Sequence, residues 1–131
     1  MILVDTSVLL DYFSGNIGAH VIKFDEVLKS KIPFGINSMI YMEVLQGASS
    51  EKEFKTLYEY LETQKFYELK NLDSYKKAAE IYYKCRKSGI TVRSTIDCLI
   101  VQTCIENKLH LLHNDKDFIH ISKLIKELKF Y

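Results

Sequence analysis

The sequence predicts an α/β fold, a three-layer α/β/α domain whose central sheet is mostly parallel and has four to five strands. Short apolar runs rich in β-branched residues alternate along the chain with longer amphipathic stretches, and no repeat or low-complexity linker interrupts them. In addition, a chain of 131 residues of which 47% are hydrophobic is long enough to bury one continuous core. Residues 1–131 are therefore expected to form a single domain.

The first half of the chain predicts two strands and four helices. Residues 2–4 form a short, continuously apolar run, which is typical of a central strand covered on both faces. Residues 32–36 are the second strand, and Pro33 and Gly35 within it favour a position near an edge of the sheet. The predicted helices cover residues 6–13 with Thr6 or Ser7 as cap, 19–29, 39–46 with Asn37 or Ser38 as cap, and 51–64.

The second half predicts the remaining elements of the alternation. Residues 66–69 are a third strand, and a long helix begins at Asp73 or Ser74 and ends at Ser88 and Gly89. Ser94 caps a further helix over residues 96–106, and residues 109–113 are the next strand. The tail from residue 117 to residue 131 is expected to be a short helix followed by an edge strand.

Composition argues against several classes of protein. The 18 Lys and Arg residues and 17 Asp and Glu residues leave a net charge of +1, so any surface for nucleic acid must be local. The three cysteines show no CxxC spacing, which favours small buried hydrophobic residues in a reducing cytoplasm over a zinc site. Neither a signal peptide nor an apolar run long enough to span a membrane is evident. We therefore expect a cytoplasmic protein with no membrane contact.

Acidic residues follow or flank the predicted strands at four separate places. Asp5 follows the first strand, and Asp115 and Asp117 follow the last confident strand. Glu43 lies about one turn into the helix after the second strand, and Asp97 lies in the first turn of the helix that leads into the last. In an open parallel sheet, all these positions face the crevice at the carboxyl edge. The sequence therefore predicts one convergent acidic site.

Such a cluster requires a cation, because two carboxylates about 4 Å apart repel by roughly 4 kcal/mol at an effective dielectric near 20. Oxygen ligands without supporting His or Cys favour Mg²⁺ or Mn²⁺ over zinc. Each acid also has an ordinary explanation when it is taken alone. Asp97 completes a capping box with Ser94, Asp5 is able to cap its own helix, and Glu43 is able to lie in solvent. These ordinary explanations do not account for the placement of all four acids at one crevice, so taken together the acids favour a shared site.

Four segments of the chain resemble the four conserved blocks of the PIN-domain family, in family order and over nearly the whole chain. They are residues 2–10, which contain Asp5; residues 37–47, which contain Glu43; residues 95–100, which contain Asp97; and residues 111–118, which contain Asp115 and Asp117. The compact length and the segment 89–93 make the chain similar to VapC-type toxins in particular.

This resemblance implies a metal-dependent endoribonuclease of a toxin–antitoxin pair that cleaves structured RNA such as tRNA or rRNA. It further implies a VapB-type antitoxin as partner, a homodimer, and Mg²⁺ or Mn²⁺ held by Asp5, Glu43, Asp97 and Asp115. Asp117 is either an alternative fourth ligand or a residue that supports the others. Thr6, Ser7 and Asn114 are candidates for holding water or phosphate, and Arg93 for contacting a substrate phosphate or pairing with a site carboxylate.

Three other functions share parts of this pattern. An aspartyl phosphatase places a second Asp two positions after the first, but Ser7 stands there. A flap-type DNA nuclease needs additional helices, for which the chain has little room. The absence of one acid from the family pattern would favour a non-catalytic RNA-binding or assembly module, but every acid of the pattern is present. For the antitoxin, amphipathic helices near residues 19–28 and 54–61 are a candidate docking surface.

Overall fold

The computed structural model describes residues 1–131, with five parallel strands and seven helices. The strands are β1 Ile2–Val4, β2 Phe34–Ile36, β3 Lys65–Phe66, β4 His110–Leu112 and β5 Lys129–Phe130. The helices are α1 Thr6–Phe13, α2 Ala19–Lys29, α3 Ser38–Gln46, α4 Glu51–Leu61, α5 Leu72–Lys87, α6 Thr95–Asn107 and α7 Lys116–Leu124. This is the predicted α/β/α architecture with five strands.

The sheet has the order β3-β2-β1-β4-β5, and all four pairings are parallel. The chain moves outward from β1 to β3 and then returns to the other side of β1. Since crossovers between parallel strands are right-handed, this reversal places α1–α4 on one face of the sheet and α5–α7 on the other. Helices within each group pack on one another. The crevice for ligands in such a sheet lies where the order reverses, between the carboxyl ends of β1 and β4.

The second strand lies near an edge of the sheet, as predicted, but it is not the edge strand, because β2 pairs with β1 on one side and with the edge strand β3 on the other. Pro33 precedes the strand, so it removes no ladder hydrogen bond. Gly35 is needed for close packing: a Cβ there would lie 2.6 Å from the carbonyl oxygen of Lys65 and 2.6 Å from the ring of Tyr67. The glycine indicates an interior strand with a close neighbour.

Other boundaries differ from the predicted ones by a few residues. Helix α4 ends at Leu61, three residues early, and β3 is two residues long and begins one residue before the predicted strand. Helix α5 begins at Leu72, because Asn71 caps it in a capping box with Ser74. These ends are set by local hydrogen bonds that periodicity does not encode.

The core contains 29 buried hydrophobic residues in one cluster, and the central strand β1 lies in it with every side chain buried. The three cysteines are free and buried in this core, as predicted. Burial raises the pKa of Cys98 to about 12, so the thiol stays protonated. None of the helices has both the length and the apolar character needed to cross a bilayer.

Candidate active site

Asp5 is the first residue after β1 and caps the N-terminus of α1. Its Oδ2 accepts hydrogen bonds from the backbone N–H of Ser7 at 3.0 Å and from the Ser7 hydroxyl at 2.6 Å. The residue is only 4% exposed, and this desolvation, with a smaller contribution from the charge of Glu43, raises the pKa of Asp5 to about 6. Asp5 is therefore fixed in position but carries its charge at an electrostatic cost.

Glu43 approaches Asp5 from the neighbouring strand-helix unit. It lies on α3, whose N-terminus follows the carboxyl end of β2. The hydroxyl of Thr6 donates a 3.0 Å hydrogen bond to Glu43 Oε1, so the residue after Asp5 holds the second carboxylate. Two consecutive hydroxyl residues, Thr6 and Ser7, thus each orient one acid.

Asp97 is the third residue of α6 and is 8% exposed. No protein group donates a hydrogen bond to its carboxylate, and the predicted capping box with Ser94 does not form. The Ser94 hydroxyl instead accepts from the backbone N–H of Ile96 at 3.2 Å. The ordinary capping explanation for Asp97 therefore does not account for its position.

The electrostatics of Asp97 show that the other four acids are close enough to act on it. Burial is the main cause that raises the pKa of Asp97 to about 7, and the negative charges of the other four acids contribute, in the order Asp115, Asp5, Asp117 and Glu43. Carboxylate oxygens of Asp97, Asp115 and Asp117 lie within 4.8 Å of one another. These three acids form one close group, whereas Asp5 and Glu43 lie outside it and act on Asp97 through their charge.

Asp115 and Asp117 occupy the first turn of α7 and share one cation. Asp115 caps the helix by accepting the backbone N–H of Asp117 at 2.9 Å. Arg93, on the loop before α6, donates from Nε to Asp117 Oδ2 at 3.0 Å and from Nη2 to Asp115 Oδ1 at 3.4 Å. The predicted pairing of Arg93 with site carboxylates is therefore present. The Arg93 side chain nevertheless remains 70% exposed.

Asn114 connects the last strand to the first. Its backbone N–H donates to the hydroxyl of Ser7 at 2.9 Å, and Ser7 in turn donates to Asp5. Its side chain is exposed and lies 3.5 Å from Oδ2 of Asp11. The site residues predicted from the sequence thus all lie at the carboxyl edge of the sheet, on the segments that follow β1, β2 and β4 or at the start of α6.

Two supporting arrangements were not predicted. Asp11, on α1, accepts from Asn16 at 2.9 Å and lies 2.6 Å from Nε2 of His20, so it ties the start of α2 to the site. Asn37 is fully buried, caps α3 through Ile40 and donates to the hydroxyl of Thr103 on α6. An Asn directly after a strand was a signal for a cap, but nothing in the sequence indicated its second partner.

The donor set fits a hard divalent cation. All the candidate ligands are carboxylate oxygens, and neither His nor Cys belongs to the group whose oxygens lie within 4.8 Å of one another. Burial is the main cause of the raised pKa values of Asp5 and Asp97, and repulsion by neighbouring acids adds to both. A divalent ion held by these oxygens would remove that repulsion.

Comparison with known proteins gives the same family as the sequence motifs. The sequence profile of the PIN domain matches residues 2–124. The chain is 30% identical over 125 residues to VapC ribonuclease Mb1587 of Mycobacterium bovis, covering 95% of this chain and 93% of that protein. The same identity and coverage apply to ribonuclease VapC11 of Mycobacterium tuberculosis.

Solved structures agree on the fold. VapBC2 of Rickettsia felis bound to a promoter DNA fragment has a similar chain with a TM-score of 0.74 and 16% identity, covering 100% of this chain and 98% of that one. DNA-bound VapBC of Salmonella typhimurium has a chain with a TM-score of 0.73 and 16% identity, covering 99% of this chain and 96% of that one. From its sequence profile, its relatives and its fold, the chain belongs to the PIN-domain family and is related within it to the VapC ribonucleases.

Proposed function

We propose that this protein is the toxin of a VapBC-type toxin–antitoxin system and acts as an endoribonuclease that depends on Mg²⁺ or Mn²⁺. Its substrate class is structured RNA, such as tRNA or rRNA. One observation carries the proposal: oxygens of Asp97, Asp115 and Asp117 lie within 4.8 Å of one another, and the charges of Asp5 and Glu43 also help to raise the pKa of Asp97 to about 7. The similarity to VapC ribonucleases supports the same activity.

Asp5, Glu43, Asp97 and Asp115 are the residues proposed to hold the metal. A bound divalent ion would supply a counter-charge, orient a phosphate and lower the pKa of a bound water. Asp117 is proposed to support the site by holding Arg93, because its Oδ2 accepts from both the backbone and the guanidinium of that residue. This assignment selects Asp115 as the fourth ligand.

The neighbouring polar residues keep the acids in place and contact substrate at the rim. Ser7 holds the Asp5 carboxylate, and Thr6 holds that of Glu43, so neither acid has to be ordered when a ligand arrives. Arg93 is the exposed cation closest to the acids and is suited to a substrate phosphate. The side chain of Asn114, on the loop after β4, is exposed and can hold water or a phosphate oxygen.

The same proposal includes the partners and the functional unit. The similar solved structures are VapBC complexes, which supports a VapB-type antitoxin here. Exposed apolar side chains on α2 and α4, Ile22 at 60% and Phe54 at 45%, remain our candidate surface for it. We further propose that residues 1–131 act as one PIN domain, which the single core cluster supports, and that it forms a homodimer.

The test is cleavage of total cellular RNA by the purified protein in Mg²⁺, Mn²⁺ or EDTA. Discrete products are expected with either metal and none with EDTA, and Asp5→Asn and Asp97→Asn should each reduce cleavage by a factor of at least 100. Asp73→Asn, which removes an exposed acid on α5, should cleave like the wild type. Equal cleavage by all three variants would show that another site or a contaminant is responsible.

A further inference from the structure

The last turn of α5 and the loop after it form a locally basic surface. Residues 81–96 contain Lys84, Arg86, Lys87 and Arg93 but no Asp or Glu. Arg86 and Arg93 are also the only two arginines in the chain. Because the net charge of the whole protein is only +1, a surface that binds nucleic acid has to be concentrated in this way.

This surface contains a pocket of about 210 Å³. None of its lining residues is acidic; they are Tyr82, Arg86, Gly89, Ile90, Thr91 and Val92. Hydrogen bonds hold the loop at both ends, since the backbone N–H of Ile90 donates to the Cys85 carbonyl of α5 and that of Arg93 donates to Asp117. The pocket is therefore attached directly to the segment that contacts the acidic centre.

Arg86 supplies this pocket with a positive charge that no acid of the protein neutralises. Its guanidinium lies over the ring of Tyr82, with Cζ 5.8 Å from the ring centroid, and this cation–π contact uses none of its N–H donors. Every ion pair and side-chain hydrogen bond that an arginine makes in the protein belongs to Arg93. The neighbouring Lys87 is exposed, and the lysine ion pairs of the protein involve other residues.

Stabilisation of the helix dipole accounts for only part of this arrangement. Basic residues in the last turn of a helix ordinarily interact with its partial negative charge, and that explanation is sufficient for Lys84, which lines a separate concavity together with Glu80 and Glu127. It does not explain a pocket with unpartnered donors. The backbone N–H groups of Thr91 and Val92, two of the lining residues, donate to no backbone or side-chain acceptor. A free guanidinium together with free backbone donors is the donor set of a phosphate site.

We propose that this pocket binds a backbone phosphate of the RNA strand whose scissile bond lies at the acidic centre. Arg86 and the backbone donors of the loop contact the phosphate, and Lys87 adds positive charge nearby. RNA fits better than an acidic peptide, because Tyr83, which is 53% exposed, offers aromatic surface to a base. The volume lies below the roughly 300–1,000 Å³ of small-molecule sites, which suits a phosphate group and not a whole nucleotide.

The identity of the ligand as substrate RNA rests on the proposed ribonuclease function. Arg93, at the far end of the same loop, pairs with Asp115 and Asp117. A strand that leaves the acids past Arg93 therefore meets a second arginine, Arg86, at the end of α5. Phosphate contacts carry no base specificity, so this surface adds affinity and leaves the choice of cleavage site to other residues.

The test is binding of a fluorescent RNA of about 12 nucleotides in EDTA, followed by anisotropy at several salt concentrations. Arg86→Gln should raise Kd about 5-fold and reduce the slope of log Kd against log salt by about 0.7–0.9, the value for one lost phosphate contact. Arg86→Lys keeps the charge but loses the planar fork, so its Kd should lie between those of Arg86→Gln and the wild type. Lys52→Gln, which removes an exposed cation on α4 that has no ion pair, should leave both Kd and slope unchanged.

An NMR titration with the same RNA gives a second readout, in which the amide signals of Thr91 and Val92 should shift and saturate. Four results would overturn the proposal: a wild type that does not bind the RNA, unshifted Thr91 and Val92 signals, Arg86→Gln with the Kd and slope of the wild type, or polyglutamate that competes as well as unlabelled RNA. The last of these would assign the surface to an acidic peptide.

Neither measurement requires metal or cleavage, so the two proposals fail separately. Unchanged RNA binding by an active Arg86→Gln variant refutes the phosphate site alone. Weakened RNA binding by Arg86→Gln, in a protein whose wild type never cleaves RNA, refutes the nuclease alone.

Discussion

Ser7 donates a 2.6 Å hydrogen bond to the carboxylate of Asp5 while its oxygen accepts the backbone N–H of Asn114. One hydroxyl therefore joins the carboxyl ends of β1 and β4 at the point where the proposed metal ligands meet. This contact connects residues 107 positions apart in the chain. It makes the position of Asp5 depend on the loop that also carries Asp115.

Replacing Ser7 with alanine tests this dependence. Because the Ser7 hydroxyl lowers the pKa of Asp5, its loss should raise that pKa further and strengthen competition between protons and metal. We expect Mn²⁺ affinity at pH 7 to fall about 10-fold, measured by calorimetry. Ser122→Ala, which removes a hydroxyl bonded only to the Ile119 carbonyl of its own helix, is the control. Unchanged affinity in Ser7→Ala would contradict the role given to this contact.

Comparing Asp115→Asn with Asp117→Asn tests which of the two is the fourth ligand. Asp115→Asn should lower Mn²⁺ affinity at least 10-fold, since it removes a proposed ligand. Asp117→Asn should lower it less and mainly raise KM for RNA, because Arg93 loses its shortest ion pair, at 3.0 Å. Calorimetry and steady-state cleavage separate these effects. A larger loss of metal affinity in Asp117→Asn would reverse the assignment.

The metal-free protein should lose stability as pH rises. The pKa values of Asp5 and Asp97 are raised from 3.8 to about 6 and about 7, so the folded state binds more protons than the unfolded chain between these values. The stabilising contribution of the protonated acids is complete below pH 3.8 and is lost as pH passes through 6 and 7. The expected loss is on the order of a few kcal/mol.

Urea unfolding in EDTA at pH 5 and pH 8 measures this dependence. Asp97→Asn should reduce it to the part that is due to Asp5, whereas Asp73→Asn should leave it unchanged. Saturating Mg²⁺ should restore stability at pH 8, because the metal binds only the folded site. Equal pH dependence in wild type and Asp97→Asn would mean that Asp97 does not titrate as described.

Gly35→Ala tests the interior position of β2. The added Cβ would meet the Lys65 carbonyl oxygen at 2.6 Å, and backbone cannot move aside as a flexible side chain can. We expect a loss of about 1–3 kcal/mol in the free energy of unfolding. Gly47→Ala, where no atom lies closer than 3.5 Å, should change it far less. Similar losses in both variants would argue against the close approach of β3.

The sequence was sufficient to predict the strands that carry the site. Asp5 and Asp115 lie directly beyond short apolar runs, and the carboxyl ends of parallel strands share one edge, so their meeting followed from topology. Position within the sheet was not predictable in the same way. Gly35 weakens a strand by intrinsic propensity, but here it allows the close approach of a neighbour from 30 residues away, and a single sequence does not show that neighbour.

The supporting contacts were harder to predict for a related reason. The sequence left Arg93 with two roles, contact with a substrate phosphate or pairing with a site carboxylate, and the pairing became visible only from the packing of its loop against α7. The pairs Asp11–His20 and Asn37–Thr103 join residues with no periodic relation. Single hydrogen bonds of this kind leave no repeated pattern in composition or hydropathy.

The order of the sheet also determines when the acidic site can form during synthesis. Strand β1 leaves the ribosome first, yet one of its two neighbours is β4, whose residues begin at His110. A nascent chain that has been translated only as far as α5 contains Asp5 and Glu43 but neither Asp97 nor Asp115. Such a fragment lacks two of the four acids proposed to hold the metal, so the proposed site is complete only after nearly the whole polypeptide has been made.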